Sequence, residues 1–158
     1  MELCIQQRVF SWGDTYDIYD EHGRPRYFVQ SELFTLGHRI HVYEKNTGRE
    51  IGAIHQHIFT FSPGFDIVIG DQVRGTVIRR FSLFEQRYDI DFLGWTCDGD
   101  VFGWDYRVMQ GNRHVMSIEK EWLTWGDTYT LRFSDPADEI PGLLLVLAID
   151  AANCDRNG

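Results

Sequence analysis

The stretch Ile140-Pro-Gly-Leu-Leu-Leu-Val-Leu-Ala-Ile-Asp-Ala-Ala152 decides how the rest of the chain must be read. From Leu143 to Ile149 seven residues in a row are apolar, and only Val146 and Ile149 are β-branched, so leucine and alanine predict helix rather than strand. A helix without a polar face lies in a membrane or is wrapped by protein on every side. Thirteen residues rise roughly 20 Å against the roughly 30 Å of a bilayer core, and Asp150 interrupts the run, so no transmembrane span is expected. Protein must surround it. Burying its apolar side chains contributes on the order of 10 to 20 kcal/mol before entropy is subtracted, which makes the upstream chain an enclosure.

Upstream, short segments rich in Tyr, Phe, Trp, Val and Ile alternate with turn signals, and helix-period stretches are missing. About twelve strands are read between residues 3 and 133. Turns are read at Glu21 to Pro25, Lys45 to Gly48, Gly70 to Gln72 and Gly111-Asn112. A loop is expected at Cys97 to Asp100, after a short strand near Gly94 to Thr96, and a strand from Val101 to Gln110. Trp-Gly-Asp-Thr-Tyr occurs twice, at Trp12 to Tyr16 and Trp125 to Tyr129. A weaker frame recurs around it: Ile5 with Tyr16, Ile54 with Phe65, Ile78 with Tyr88, Ile118 with Tyr129. Each copy reads as one hairpin, which cannot bury its apolar face alone. Closing twelve strands into a barrel removes the sheet edges and leaves a lumen too wide for strand side chains to fill. The expected fold is therefore mainly β, a closed antiparallel barrel of about twelve strands enclosing one central hydrophobic helix at about 138 to 152, with a tail at 153 to 158. All 158 residues are read as a single domain.

Net charge is -9, from 24 acidic and 15 basic residues, which argues against non-specific nucleic-acid binding. Only Lys45 and Lys120 are lysines, so no polybasic lipid tether is present. The segment Met1 to Arg8 lacks the basic and apolar regions of a signal peptide, and Cys4, Cys97 and Cys154 fit neither a disulfide framework nor a zinc knuckle. A cytoplasmic location is expected.

The run of strands that includes Ile118, Glu119 and Lys120 and the second Trp-Gly-Asp-Thr-Tyr, followed by Asp138 and the Leu143 to Asp150 helix, resembles the LURP-one-related family of the tubby C-terminal-like superfamily. The most specific piece is a strand of the form Tyr-x-Leu-x-Phe-x-Asp leading into the leucine-rich helix. The resemblance implies a closed barrel around a hydrophobic helix, the fold of the tubby lipid-binding domain and, more distantly, of phospholipid scramblases. Tubby binds phosphoinositide headgroups through basic side chains. No residue-by-residue match to that site is found here, so the ligand is not carried over.

His55-Gln-His57 places two imidazoles on one face of a strand and invites a metal. Aligned on the repeat, however, both fall where other copies carry Gln6 and Arg8, Arg79 and Phe81, and Glu119 and Glu121, which reads as outward surface. His38 and His41 are three apart and face opposite sides. Asp98 and Asp100 lack further oxygen ligands at calcium-loop spacing. The tryptophans Trp12 and Trp125 occupy equivalent repeat positions and read as structural. Arg79 and Arg80, with Arg74 and Arg87, form the densest basic cluster, suited to a phosphate or anionic headgroup and equally to surface ion pairs. Nucleophile elbows, phosphate loops and Cys-x-x-Cys motifs are absent.

The expectation is a non-enzymatic binding module, with no cofactor and no metal. Its partner would be an anionic phospholipid headgroup, held by Arg74, Arg79, Arg80 and Arg87, or a protein. The alternatives are a metal-dependent small-molecule enzyme using His55 and His57, and a purely protein-binding scaffold.

Overall fold

A computed structural model describes residues 1–7, 15–34, 37–57, 64–81, 86–121 and 127–154. Twelve strands precede the helix: β1 (Glu2–Gln7), β2 (Thr15–Asp20), β3 (Pro25–Phe34), β4 (Gly37–Glu44), β5 (Glu50–Gln56), β6 (Gly64–Ile69), β7 (Gln72–Phe81), β8 (Gln86–Phe92), β9 (Trp95–Asp100), β10 (Asp105–Gln110), β11 (Arg113–Glu121) and β12 (Asp127–Phe133). A 3-10 turn at Pro136–Asp138 leads into α1 (Glu139–Cys154). The Cys97 to Asp100 stretch, expected as a loop, is strand, while residues 101–104, expected as strand, form a turn. The ladder with β10, which sets Cys97 opposite Val108 and Gly99 opposite Tyr106, satisfies a backbone whose local sequence reads as loop.

Each strand pairs antiparallel with its sequence neighbour except β8 with β9, and β1 returns to β12 with Leu3 opposite Leu131 and Ile5 opposite Tyr129. The hydrogen-bonded order runs β8-β7-β6-β5-β4-β3-β2-β1-β12-β11-β10-β9. Alternation puts Ile18, Val29, Val42, Ile54, Ile67 and Ile118 in the lumen, each fully buried. There they meet α1, whose residues Leu143 to Ile149 have no exposed surface. Wrapping a leucine-rich helix requires close approach: a Cβ on Gly52 would stand 2.5 Å from Leu144 Cδ1, and one on Gly142 2.6 Å from Phe133 Cε1. Pro141 is accommodated because the first turn of a helix has no intrahelical acceptors for its N–H groups. Asp135 caps the preceding turn, its Oδ1 accepting from Ala137 N at 2.9 Å. Among the described residues no helix is long and apolar enough to cross a membrane.

The barrel is nearly closed. Between β8 and β9 no ladder forms, although a two-residue turn joins them, Leu93 and Gly94 both at positive φ (55° and 65°), the geometry of a tight hairpin. At the turn Phe92 and Trp95 touch edge to face, centroids 5.5 Å apart. Continued pairing would set Asp89 opposite Asp98, and like charges directly opposite are destabilising. Each of these carboxylates instead pairs with an arginine on its far side: Arg80 Nε lies 2.7 Å from Asp89, and Arg107 Nη2 lies 3.0 Å from Asp98. Gly99 then takes φ 118°, outside strand geometry.

Candidate functional site

The seam between β8 and β9 opens into a cleft of about 850 Å³. Its floor is made of the partly buried Tyr88, Ile90, Cys97 and Val101, packed against the core. Its mouth is framed by Phe102, 39% exposed, whose ring lies 5.3 Å from that of Tyr88. Beneath the floor lies the C-terminal end of α1. The Tyr88 hydroxyl donates to Asn153 Oδ1, and Arg79 Nη1 donates to the Ala152 carbonyl at 3.3 Å. A guanidinium at a helix C-terminus meets the negative end of the helix dipole, which compensates part of the cost of burying it.

The electrostatics of this end are set by desolvation. Burial pushes the Asp150 carboxyl up to about 7 and the Cys97 thiol up to about 12. Burial likewise raises Tyr106 well above its ordinary value, and its hydroxyl is buried without a hydrogen-bond partner. A thiol whose pKa is raised by burial is a weaker nucleophile, and Cys97 contributes to the floor of the cleft.

The lip is acidic. Asp89, Asp91 and Asp100 line the cleft together with Arg87. Asp89 is shared by Arg80 Nε at 2.7 Å and Arg87 Nε at 3.3 Å, whereas no arginine or lysine pairs with Asp91 or Asp100 among the described residues. The four arginines expected to act together are separated by the fold. Arg80 and Arg87 sit opposite each other on the outer face, 53% and 64% exposed. Arg74 is exposed at the irregularity near the far end of β7, five and six residues from Arg79 and Arg80, or roughly 17 to 20 Å in extended chain. Arg79 is 1% exposed and points into the lumen.

The burial of Arg79 corrects the repeat alignment, which grouped it with outward His55 and Glu119. The Ile78 to Tyr88 spacing is one residue shorter than in the other copies, and a one-residue slip turns a strand's side chains to the other face. Val77 is therefore the inward residue of β7, paired with Ile90, and Arg79 pairs with Tyr88 as Gln56 pairs with Phe65 and Lys120 with Tyr129.

The family model described as LURP-one-related matches residues 1–150. The chain belongs to the LURP-one-related family. It is 27% identical over 150 residues to the uncharacterized protein YxjI of Bacillus subtilis, covering 95% of this chain and 92% of that one. Its fold is similar to the X-ray structure of the Arabidopsis thaliana protein AT5G01750, with a TM-score of 0.61, 12% identity, and coverage of 95% and 90% of the two chains. This is the tubby-like fold.

In this LURP-one-related barrel the histidines are dispersed. His57 Nε2 lies 2.5 Å from Asp66 Oδ1 beyond the end of β5. His55 stands on the outer wall with its ring 6.2 Å from that of His41, which approaches Glu50 Oε1 at 3.1 Å. Burial, with Arg39 second, holds the His55 imidazolium below its ordinary pKa. Among the described residues no group of three or more His, Cys, Asp or Glu is placed to hold a metal. Asp98 is engaged by Arg107, and Asp100 Oδ1 accepts from Gly103 N at 2.8 Å. Trp95 and Trp104 are buried, the latter stacked on Tyr129 at 4.4 Å, while Trp12, Trp122 and Trp125 lie outside the described residues. The cleft was invisible to motif reading, because it is made of an omission in strand pairing.

Proposed function

We propose that the barrel is a non-enzymatic binding module that captures a polypeptide partner in the cleft between β8 and β9. The observation that supports this most directly is the seam itself, two adjoining strand edges with no ladder between them above an apolar floor. The protonated Cys97 thiol and the dispersed histidines favour binding over catalysis. The reading carries the expectation that the barrel works in the cytoplasm, where Cys4 and Cys97 stay as thiols.

The exposure of Arg80 and Arg87 favours a second reading, an anionic phospholipid headgroup on the outer face of β7 and β8 with Arg74 contributing at its far end. Asp89 already neutralises part of that charge, which ranks it second. A photo-crosslinking residue at Phe102, at the mouth, is expected to capture polypeptide. The same residue at Val73, 60% exposed near the far end of β7, is not. Equal capture at both positions overturns the cleft. Co-sedimentation with phosphatidylserine vesicles that disappears in an Arg80→Glu, Arg87→Glu variant, without capture at Phe102, selects the lipid reading instead.

A further inference from the structure

We infer that the cleft recognises its partner by one basic side chain: an arginine on a basic segment of another protein lays its aliphatic stem on the apolar floor and its guanidinium against the acidic lip beside Phe102. The inference rests on the polypeptide reading above and specifies its chemistry. Among the described residues that line the cleft, Asp89, Asp91 and Asp100 face a single guanidinium, that of Arg87. Asp89 is already shared by Arg80 and Arg87, while Asp91 and Asp100 pair with no arginine or lysine among the described residues. An anionic ligand is repelled by such a lip, and a purely apolar one leaves its charge unanswered. A second copy of this chain, at net charge -9, is disfavoured for the same reason.

The mouth suits arginine in particular. Asp100 Oδ1 accepts from Gly103 N at 2.8 Å, which fixes the carboxylate in place and leaves its charge without a cation. Two residues on, Phe102 is 39% exposed, and its ring already packs against a guanidinium, that of Arg79, whose Cζ lies 5.8 Å from the ring centroid. Tyr88, Cys97 and Val101, partly buried, give the methylene stem an apolar bed, the arrangement in which a long cationic side chain keeps its head at a polar rim. The Tyr106 hydroxyl is buried without a hydrogen-bond partner, and its electrostatic neighbours include Cys97 and Tyr88 of that bed. The floor is thus backed by a polar group suited to a donor rather than to methyl groups. No backbone of the partner enters between β8 and β9. It stays outside the lip, and the Leu93–Gly94 turn keeps its spacing.

The test titrates the whole isotope-labelled chain with acetyl-arginine methylamide and follows amide chemical shifts. Saturating shifts are expected at Asp91, Cys97 and residues 100–103, with affinity falling roughly threefold between about 50 and 300 mM salt. Acetyl-citrulline methylamide keeps the length and loses the charge, and should bind at least about tenfold more weakly. Guanidinium ion keeps the charge and loses the stem, and should bind at least about fivefold more weakly. An isosteric Asp91→Asn, Asp100→Asn variant should lose at least about tenfold, whereas Asp71→Asn, on the exposed turn between β6 and β7, should leave binding unchanged. If the double variant does not fold, the three probes on the unaltered chain still decide. Equal affinity for citrulline, shifts spread evenly over the exposed carboxylates of the chain, or no binding each overturn the arginine anchor. Spermidine that gives the same shifts and binds more tightly than acetyl-Ala-Arg-Ala-amide assigns the cleft to a free polyamine and overturns the protein partner. Capture at Phe102 without arginine binding leaves a polypeptide cleft of other chemistry, and absence of both overturns the polypeptide reading as well.

Discussion

At its N-terminal end the plug helix meets the barrel through two carboxylate–arginine pairs. Glu139, 2% exposed, accepts from Arg26 Nε at 2.5 Å and from the Tyr27 hydroxyl, and Asp138 accepts from Arg113 Nη1 at 2.5 Å. At its C-terminal end the carboxyl is Asp150, 2% exposed and raised to about 7 by desolvation, and the cation is Arg79, enclosed in the lumen beside Ala152. Both ends place charges of the sign the helix dipole prefers, acids first and a guanidinium last. They differ in solvent. Arg26 and Arg113 are nearly half exposed and keep their hydration while holding buried acids, whereas Arg79 is shut away from water next to the seam. The N-terminal end therefore anchors the plug, and the C-terminal end carries a desolvation cost beneath the cleft. A region that binds is commonly drawn from the less stable part of a fold.

The largest expected effect breaks the anchored end. Glu139→Ala leaves the Tyr27 hydroxyl and Arg26 without their acceptor, and urea unfolding should show a loss of about 3 kcal/mol, at the lower end for a broken buried pair because Arg26 is 46% exposed. Glu139→Gln should recover part of it. A result within experimental error of the unaltered chain would remove the distinction between the two ends.

A smaller effect of opposite sign sharpens the comparison. The folded state holds the Asp150 proton more tightly than the unfolded chain, so folding takes up a proton between about pH 4 and 7. The contribution of this group is fully present below pH 4, falls as pH rises to about 7, and is flat above. Asp150→Asn should match the unaltered chain at pH 4 and exceed it by about 2 kcal/mol at pH 8, less than the full shift implies because the amide forgoes interactions of its own. Urea titrations across that range check it, and a pH-independent difference would show that Asp150 is not desolvated. The smallest effect is at Arg79. Arg79→Met keeps the volume of the stem while removing a buried charge, and a change within about 1 kcal/mol is expected, since desolvation and attraction nearly cancel.

Much of this fold was legible. The helix could be placed because a leucine run without a polar face has only one soluble solution, and the strands because alternation and turn residues are local signals. The swap of loop and strand around Asp100 was not legible, since Gly99 and its aspartates read as loop until the β10 ladder holds them. The arginine cluster was visible as a cluster, but which arginine faces water depends on parity. In the β7 and β8 copy the repeat is one residue short, and that single residue put Arg79 inside.

By itself the sequence pointed to a barrel wrapped around its own C-terminal helix, because Leu143 to Ile149 need burial on every side and twelve short strands closed on themselves supply it without leaving edges. Only the tertiary structure decided where that barrel stays open. At the seam Asp89 and Asp98 are engaged by Arg80 and Arg107, residues on neighbouring strands whose registers no local pattern records. The upward shift of the Asp150 carboxyl arises the same way, because desolvation belongs to the surroundings of a side chain and not to the side chain.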